Sequence, residues 1–322
     1  MPDRASKTTP DVSVILVNWN TRELICDCIA SLPAALGRLH GDVWVIDNNS
    51  SDDSVAAIRE RFPDVHVIAN EQNAGFAAAN NQGIVASSGR YALLLNSDTV
   101  APAGSIEQLV DFADAHPQAG MVGAMLLDPD GTFQSSFADF PSILSETLSV
   151  TGIGARLLFR NFPSYPPQAS RSARRVDYVF GACMLARRSA IAQVGTIDEG
   201  YFMYSEEPDW CMALHRAGWE IWYTPDAKII HYGGQSTRRA RFAMVQALYR
   251  SKVRFFYKHY ARPYAITMRA VFTIILGVKW MLRSIAAAVR RIPADPRIGW
   301  RDLAPEAIER RPPLAGASVS GN

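Results

Sequence analysis

The segment "LLLNSDT" closes an apolar run with Asn96, Ser97 and Asp98. A strand that ends in a carboxylate sets that group at the edge of a sheet, beside solvent. Short side chains around it let a phosphate approach. A divalent cation shared between phosphate and carboxylate would offset the charge that grows as a diphosphate leaves. Magnesium and manganese take oxygen ligands of this kind, often one or two carboxylates with phosphates and water. The same residues also suit a turn or a helix cap. Asp47, in "VIDNNSSDDS", poses a similar choice: it caps the next helix or accepts a hydrogen bond from a nucleobase N–H. Asp52 and Asp53 read as helix-start residues. Glu206, Glu207 and Asp209 surround Pro208, and proline is favoured in the first turn of a helix. Acids there complement the helix dipole, and one of them could act as general base toward an attacking hydroxyl. The nearby Tyr201, Phe202, Tyr204 and Trp210 point to a pocket more than to a solvated face. His231, after "DAKII", reads as structural or as a late metal ligand.

Elements of two kinds must position these groups. "VSVILVNWN" (12–20) is too continuously apolar for a strand with one wet face, so it reads as buried in a parallel sheet. Strands are expected again at 42–50, 64–70, 90–98 and 120–128, with helices at 21–32, 51–62, 75–87 and 105–116 between them. The alternation implies an α/β fold with a mainly parallel central sheet flanked by helices. Ligands of such sheets bind at the carboxyl ends of the strands, where Asn18, Asn20, Asp47, Asn48, Asn70 and Asp98 all fall. Residues 133–175 mix aromatics, prolines and arginines with weak periodicity and read as a partly mobile cover. Strand character returns at 176–188, a loop leads into a helix over 198–218, and 219–234 resembles two short strands. A basic, aromatic, helical tail runs to about 291.

Composition narrows the possibilities. The chain has 322 residues, 48% of them hydrophobic, which suffices for a sizeable core, and its net charge of +2 gives no sign of a nucleic-acid partner. No Gly-x-Gly-x-x-Gly follows the first strand and no Gly-Lys-Ser/Thr occurs, which excludes the common dinucleotide and P-loop sites. The four cysteines, Cys26, Cys28, Cys183 and Cys211, form no C-x-x-C pair and suit a reduced, cytoplasmic chain. The N-terminus lacks the apolar segment of a secretory signal. Basic clusters at Arg171, Arg174 and Arg175, and from Arg238 to Lys258, suit phosphates, lipid headgroups or a solvated face.

Taken in order, "VSVILVNWN", "VIDNNSSDDS", "NAGFAAANNQGI", "LLLNSDT", "GACMLARRSAIAQVGTIDEGYFMYSEEPDWCMALHRAGW" and "IIHYGGQST" resemble the family 2 glycosyltransferases, in particular the bacterial rhamnosyltransferase-like group, over about residues 11–237. The resemblance implies a GT-A fold, a nucleotide-sugar donor and a Mg²⁺ or Mn²⁺ cofactor. Asp98 matches the last acid of the family's Asp-x-Asp motif, with Asn96 at its first position and Ser97 between. Asp47 matches the acid that contacts the base, and Asn18 lies at the neighbouring strand end. Asn73, Gly75 and Asn80 match the motif lining the donor site, and His231 matches a histidine that approaches the metal. Glu207 stands where many relatives carry the catalytic Asp, leaving Glu206 as the alternative base. The implied reaction is inverting and single-step, with dTDP-L-rhamnose as first donor and a lipid-linked or polysaccharide acceptor. Transfer of galactofuranose, N-acetylhexosamine or a hexose is the alternative, and a binding module without catalysis is the reading from another class.

The expected organisation is a flexible N-terminus (1–10), a catalytic domain (11–237), a helical extension (238–292) and a flexible tail (293–322). In the extension, "AVFTIILGV" (270–278) is an uncharged run too short to span a bilayer, which takes about 20 residues. Wound as a helix, it sets apolar residues against Arg269, Lys279, Arg283 and Arg290, which suits a helix lying in the membrane interface, or one packed on the catalytic domain or on a second copy. The chain is thus expected on the inner face of the cytoplasmic membrane, with a homo-oligomer as a further possibility.

Overall fold

The computed structural model describes residues 9–158, 162–233, 241–290, 297–299 and 301–303. Most of the expected terminal segments, and Arg238 and Arg239, therefore lie outside the described residues. Strands β1 (Val12–Asn18), β2 (Gly41–Asp47), β3 (His66–Ala69) and β4 (Tyr91–Asn96) are parallel and stand in the order β3-β2-β1-β4. Helices α1 (Arg22–Leu36), α2 (Ser54–Arg61) and α3 (Phe76–Ala86) join them. Because β1 pairs with β2 on one side and β4 on the other, successive connections diverge there and open a crevice at the strands' carboxyl ends.

Beyond β4 the sheet becomes mixed. After β5 (Thr99–Val100), α4 (Ser105–Ala115) and β6 (Ala119–Leu127), the chain makes β11 (Cys183–Arg187), which lies antiparallel between β4 and β6. Strand β12 (Glu220–His231) then pairs parallel with β6 and antiparallel with β5. One strand thus replaces the two expected at 219–234. Its register shifts between Thr224 and Lys228, around Pro225, whose missing N–H interrupts the ladder and gives the segment its two-part pattern.

Apolar faces on both sides of the sheet are covered. Leu16, Leu93 and Leu95 pack toward α1 and α4, whereas Ile15, Leu94 and Met184 pack toward α3, α7 (Arg188–Val194) and α8 (Glu206–Arg216). All four cysteines are free and buried.

The weakly periodic cover contains short elements. These are β7 (Phe133–Gln134), β8 (Phe137–Ala138), α5 (Ile143–Thr151), α6 (Ile153–Leu157), a turn of 3-10 helix (Pro167–Ser170) and β9 (Arg174–Arg175). β8 pairs with β10 (Tyr178–Val179) in a separate ribbon. A third apolar cluster joins α5 to α9 (Arg241–His259) and α10 (Arg262–Arg290), with Phe256, Met268 and Phe272 fully buried in it. α10 is one continuous helix of 29 residues. Phe272 and Ile275 turn inward, while Ile274, Val278, Met281, Leu282 and Ile285 remain exposed.

Candidate active site

A cavity of about 600 Å³ opens at the carboxyl ends of β1 and β4. Backbone pairing sets up its most polar wall. Val100 and Thr99 pair with Ile230 and His231, and the Tyr232 N–H donates to the Asp98 carbonyl at 2.9 Å. The Asp98 carboxylate therefore meets the His231 ring, with Oδ1 3.2 Å from Nε2. The ring's tautomer follows from its neighbours. Gln134 donates through Nε2 to Asp128 Oδ1 (2.8 Å) and to the His231 carbonyl (3.2 Å), which turns its Oε1 to His231 Nδ1 at 2.6 Å. Nδ1 therefore donates to Gln134, and Nε2 is the ring nitrogen that faces Asp98. Asn96 Nδ2 lies 3.4 Å from the same nitrogen. Two lone pairs at such a distance repel unless a proton or a cation lies between them, and an imidazole oriented through its other nitrogen is a usual metal ligand. No group of three or more His, Cys, Asp or Glu side chains is arranged for a metal among the described residues. Asp98 and His231 would thus hold a divalent ion only with phosphate and water completing its shell, the habit of Mg²⁺ and Mn²⁺.

A second part of the lining is the start of α8. Tyr204 and Ser205 approach it with φ of +70° and +65°. Such backbone in a bulky residue is strained and is found where a side chain must be aimed. Glu206 and Glu207 then occupy the first turn, and both line the cavity. Glu207 Oε1 accepts the Gly181 N–H at 3.1 Å. A Cβ on residue 181 would fall 2.8 Å from that oxygen, so only glycine permits the approach. Burial raises the Glu207 carboxyl above the ordinary range. Glu206 is pushed higher still, by burial and then by the Glu207 charge, and its Oε2 is buried without a partner.

Asp209, grouped with these acids in the sequence, faces away. It is buried against His259 Nε2 (2.6 Å), Lys258 Nζ (2.8 Å) and Tyr201 OH (3.1 Å), which ties α8 to α9. Tyr201 and Trp210 are core residues, whereas Phe202 and Tyr204 line the cavity.

The remaining sequence candidates divide. Asn73, Gly75, Asn96 and Ser97 line the cavity. Gly75 has φ +87°, and a Cβ there would lie 2.5 Å from the Phe202 carbonyl oxygen. Phe76 N–H donates to that oxygen at 2.7 Å, pinning α3 to the loop before α8. Asn18 and Asp47 form an internal strut instead. Asn18 Nδ2 donates to Asp47 Oδ1 at 2.7 Å, and the Ser50 N–H donates to Oδ2 at 2.8 Å. With 1% of its surface exposed, Asp47 stands behind Trp19 and Asn48, which line the cavity in its place. Asn80 is also buried, donating to the Phe76 carbonyl of its own helix at 2.9 Å.

Several lining residues carried no sequence signal. Gln134 falls in the weakly periodic segment 133–175, read as a cover. Glu146 and Ser149 on α5, and Met244 and Leu248 on α9, came from stretches with no motif, whereas Lys252 belongs to the basic cluster of 238–258. Glu146 and Lys252 form a buried ion pair across the cavity wall.

The crevice lies at a switch point of the sheet and carries both the acids of α8 and the Asp98–His231 pair, and the sheet around it is of GT-A type. Two solved structures share the fold. A Pyrobaculum calidifontis mannosyltransferase bound to GDP-Man and Mn²⁺ matches with TM-score 0.52 and 17% identity over 88% of this chain and 75% of its own. GalNAc-T7 with UDP, GalNAc and Mn²⁺ matches with TM-score 0.53 and 14% identity over 78% of this chain and 48% of its own. Residues 13–195 match Glycosyl transferase family 2, and the chain belongs to that family. Among its relatives, an N-acetylglucosaminyl-diphospho-decaprenol L-rhamnosyltransferase of Mycobacterium tuberculosis is 32% identical over 250 residues, covering 72% of this chain and 79% of that protein. Rhamnosyltransferase WbbL of Escherichia coli is 28% identical over 149 residues, 46% of this chain and 54% of that protein.

Proposed function

We propose that this enzyme transfers L-rhamnose, with inversion, from a nucleoside diphosphate donor to a hydroxyl of a lipid-linked saccharide in bacterial surface-glycan synthesis. The observation that carries the reading is the presence of Glu207 and the Asp98–His231 pair in the lining of one cavity. The relatives' rhamnosyl activity and lipid-diphosphate acceptor favour this donor and acceptor over a hexose or galactofuranose.

Glu207 takes the proton of the acceptor hydroxyl. The freed oxygen forms a bond to the donor's anomeric carbon from the face away from the diphosphate. The bond between that carbon and the phosphate oxygen breaks, and its electron pair leaves with the nucleoside diphosphate. Burial disfavours a second negative charge on Glu206 beside Glu207. Asp98 and His231, with Asn96 beside them, would hold a Mg²⁺ or Mn²⁺ ion, which when bound offsets the charge of the leaving diphosphate. Trp19, Asn48, Asn73 and Gly75 face the nucleotide portion, and Tyr178, Phe180 and the Glu146–Lys252 pair face the acceptor. Glu146 and Lys252 lie on α5 and α9, helices outside the central sheet.

The test is a panel of nucleotide sugars, scored for thermal stabilisation with and without Mg²⁺ or Mn²⁺. Transfer to a diphospho-lipid N-acetylglucosamine analogue follows. Metal-dependent stabilisation by dTDP-rhamnose with product formation supports the reading. Preference for another sugar replaces the donor, and hydrolysis or binding without transfer to any acceptor overturns it.

A further inference from the structure

Part of the cavity lining takes no share in bond making or metal binding. Glu146 and Ser149 stand one turn apart on α5 and both line the cavity, together with Lys252 of α9 and Tyr178 of β10. The Glu146 side chain is 5% exposed, and its Oε2 accepts from Lys252 Nζ. Its Oε1 takes no hydrogen bond from the described residues, and the Lys252 ammonium gives them only that one. The Ser149 and Tyr178 hydroxyls have no partner among the described residues either. None of these three oxygens is sealed from solvent. A buried pair that served only to join α5 to α9 would have its remaining lone pairs and N–H groups satisfied by the protein.

These groups are fixed by ties outside the cavity. Asp177 Oδ2 accepts the Phe140 N–H at 2.7 Å, and the Tyr260 hydroxyl donates to the Pro141 carbonyl at 2.6 Å. Ser142 then caps α5, accepting the Ser145 N–H at 3.1 Å. On α9, Ser251 beside Lys252 donates to the Met203 carbonyl at 2.8 Å. Side chains held in this way are ready to bind without first being ordered. The cluster also adjoins the base. Tyr178 lies three residues before Gly181, whose N–H Glu207 accepts. Burial raises the Tyr178 hydroxyl well above its usual range, and the charges of Glu207 and then Glu146 add to it, so the phenol stands near both carboxylates.

Charge and hydrogen-bonding capacity identify the ligand class. Lys252 is the only Lys or Arg among the described lining residues, and Glu146 already neutralises it. An anionic group placed here would meet Glu146 and Glu207 with no free cation. A neutral ligand rich in hydroxyls fits instead: the carboxylate accepts from an O–H, the ammonium donates to an oxygen, and Ser149 and Tyr178 do either. We propose that Glu146, Lys252, Ser149 and Tyr178 form the subsite that holds hydroxyls of a neutral acceptor sugar, beside the hydroxyl that Glu207 activates. Phosphate groups of an acceptor lie outside this subsite. The inference rests on the reading of the enzyme as a transferase with a saccharide acceptor, and it makes these four residues the determinants of which saccharide is accepted.

The test is an NMR titration of the full chain, without donor, with methyl N-acetylglucosaminide and its single-deoxy analogues. Methyl glucoside is compared with the methyl glycoside of glucuronic acid. The parent chain should bind the neutral sugars and lose at least about tenfold when one particular hydroxyl is removed. Glu146→Gln should bind the full sugar at least about tenfold more weakly and no longer distinguish it from that deoxy analogue. A pair that only joins helices would weaken both sugars by the same factor, and that result overturns the proposal. Unfolding melts identify a variant that has lost its fold. Ser149→Ala, which removes a hydroxyl without a partner, then replaces it, with a loss of about three- to tenfold confined to one sugar hydroxyl. An unaltered pattern in a folded variant, no saccharide binding by the parent, or tighter binding of the glucuronic acid glycoside also overturns the proposal. With no donor present, the outcome is independent of which sugar the enzyme transfers. Transfer by Glu146→Gln to the diphospho-lipid analogue with an unchanged acceptor KM would overturn the subsite and leave the transferase reading standing.

Discussion

At the scale of single residues, two carboxylates perform different tasks because their surroundings differ. Asp98 is short of donors and faces His231, so it suits a cation. Asp98→Ala should remove most metal-dependent turnover, an effect of several kcal/mol on the barrier. Thermal unfolding should be little changed, because the β5–β12 pairing uses only backbone. Activity that persists in this variant with chelator present would remove the metal from the account. Glu207→Gln keeps the shape and the Gly181 contact but takes no proton, so turnover should fall about 10²–10⁴-fold with donor binding preserved. With its carboxyl raised by burial, Glu207 must lose its proton before it can act. The kcat/KM profile should therefore climb through a limb above the ordinary glutamate range as pH rises, and lose that limb in the Gln variant. Glu206 affects stability instead. Its folded-state pKa lies well above the unfolded value. The folded chain therefore binds the extra proton, and stability is fully present below the unfolded pKa and lost as pH rises through the folded one. Glu206→Gln imitates the protonated form. It should match the parent near pH 4 and melt higher than the parent in alkaline buffer, as differential scanning fluorimetry across pH would show.

At the scale of elements, the junction of α8 and α9 aims the base. Asp209 joins the two helices through His259 and Lys258, Arg254 grips Asp198 at 3.1 and 3.2 Å, and Ser251 Oγ donates to the Met203 carbonyl at 2.8 Å. The loop carrying Tyr204 and Ser205 in left-handed backbone is held between these ties. Asp209→Ala should cost roughly 1–3 kcal/mol in denaturant unfolding, because His259 is left buried without its partner. It should also lower kcat, with metal-dependent donor binding little changed. An unaltered kcat in a destabilised variant would make the junction structural only. The sequence exposed part of this level. The continuous apolar runs of β1 and β4 identified buried parallel strands, and Pro208 marked the first turn of α8. The ties themselves were hidden, because Asp209 looks like its neighbours Glu206 and Glu207 in sequence, and only the helical turn, about 200° on from Glu207, takes it toward α9. The strut of Asn18 and Asp47 was hidden for a similar reason: a polar residue at a strand end has a ligand or a neighbouring strand end as partner, and spacing does not say which.

At the scale of the whole molecule, the chain is a three-layer α/β body with a helical flank built from α5, α9 and α10. The βα alternation over the first 128 residues made the sheet legible, since each strand–helix unit is local. The antiparallel insertion of β11 between β4 and β6 was not, because non-local pairing leaves no periodic trace. The metal-type wall was legible as two separate candidates, Asp98 and His231, but their meeting depends on the β5–β12 pairing. The side of the cavity formed by Glu146 and Lys252 was not legible as one site, because the two are drawn from distant helices whose own patterns record packing. All of this geometry serves one claim, direct attack by an acceptor oxygen activated by Glu207 on the face opposite the diphosphate. The measurement that meets it most directly is the anomeric configuration of the product glycoside, read by NMR after transfer from the nucleotide sugar the enzyme accepts. The account predicts a configuration opposite to the donor's, with no sugar covalently attached to the protein in quenched reactions. A product that retains the donor's configuration would contradict it.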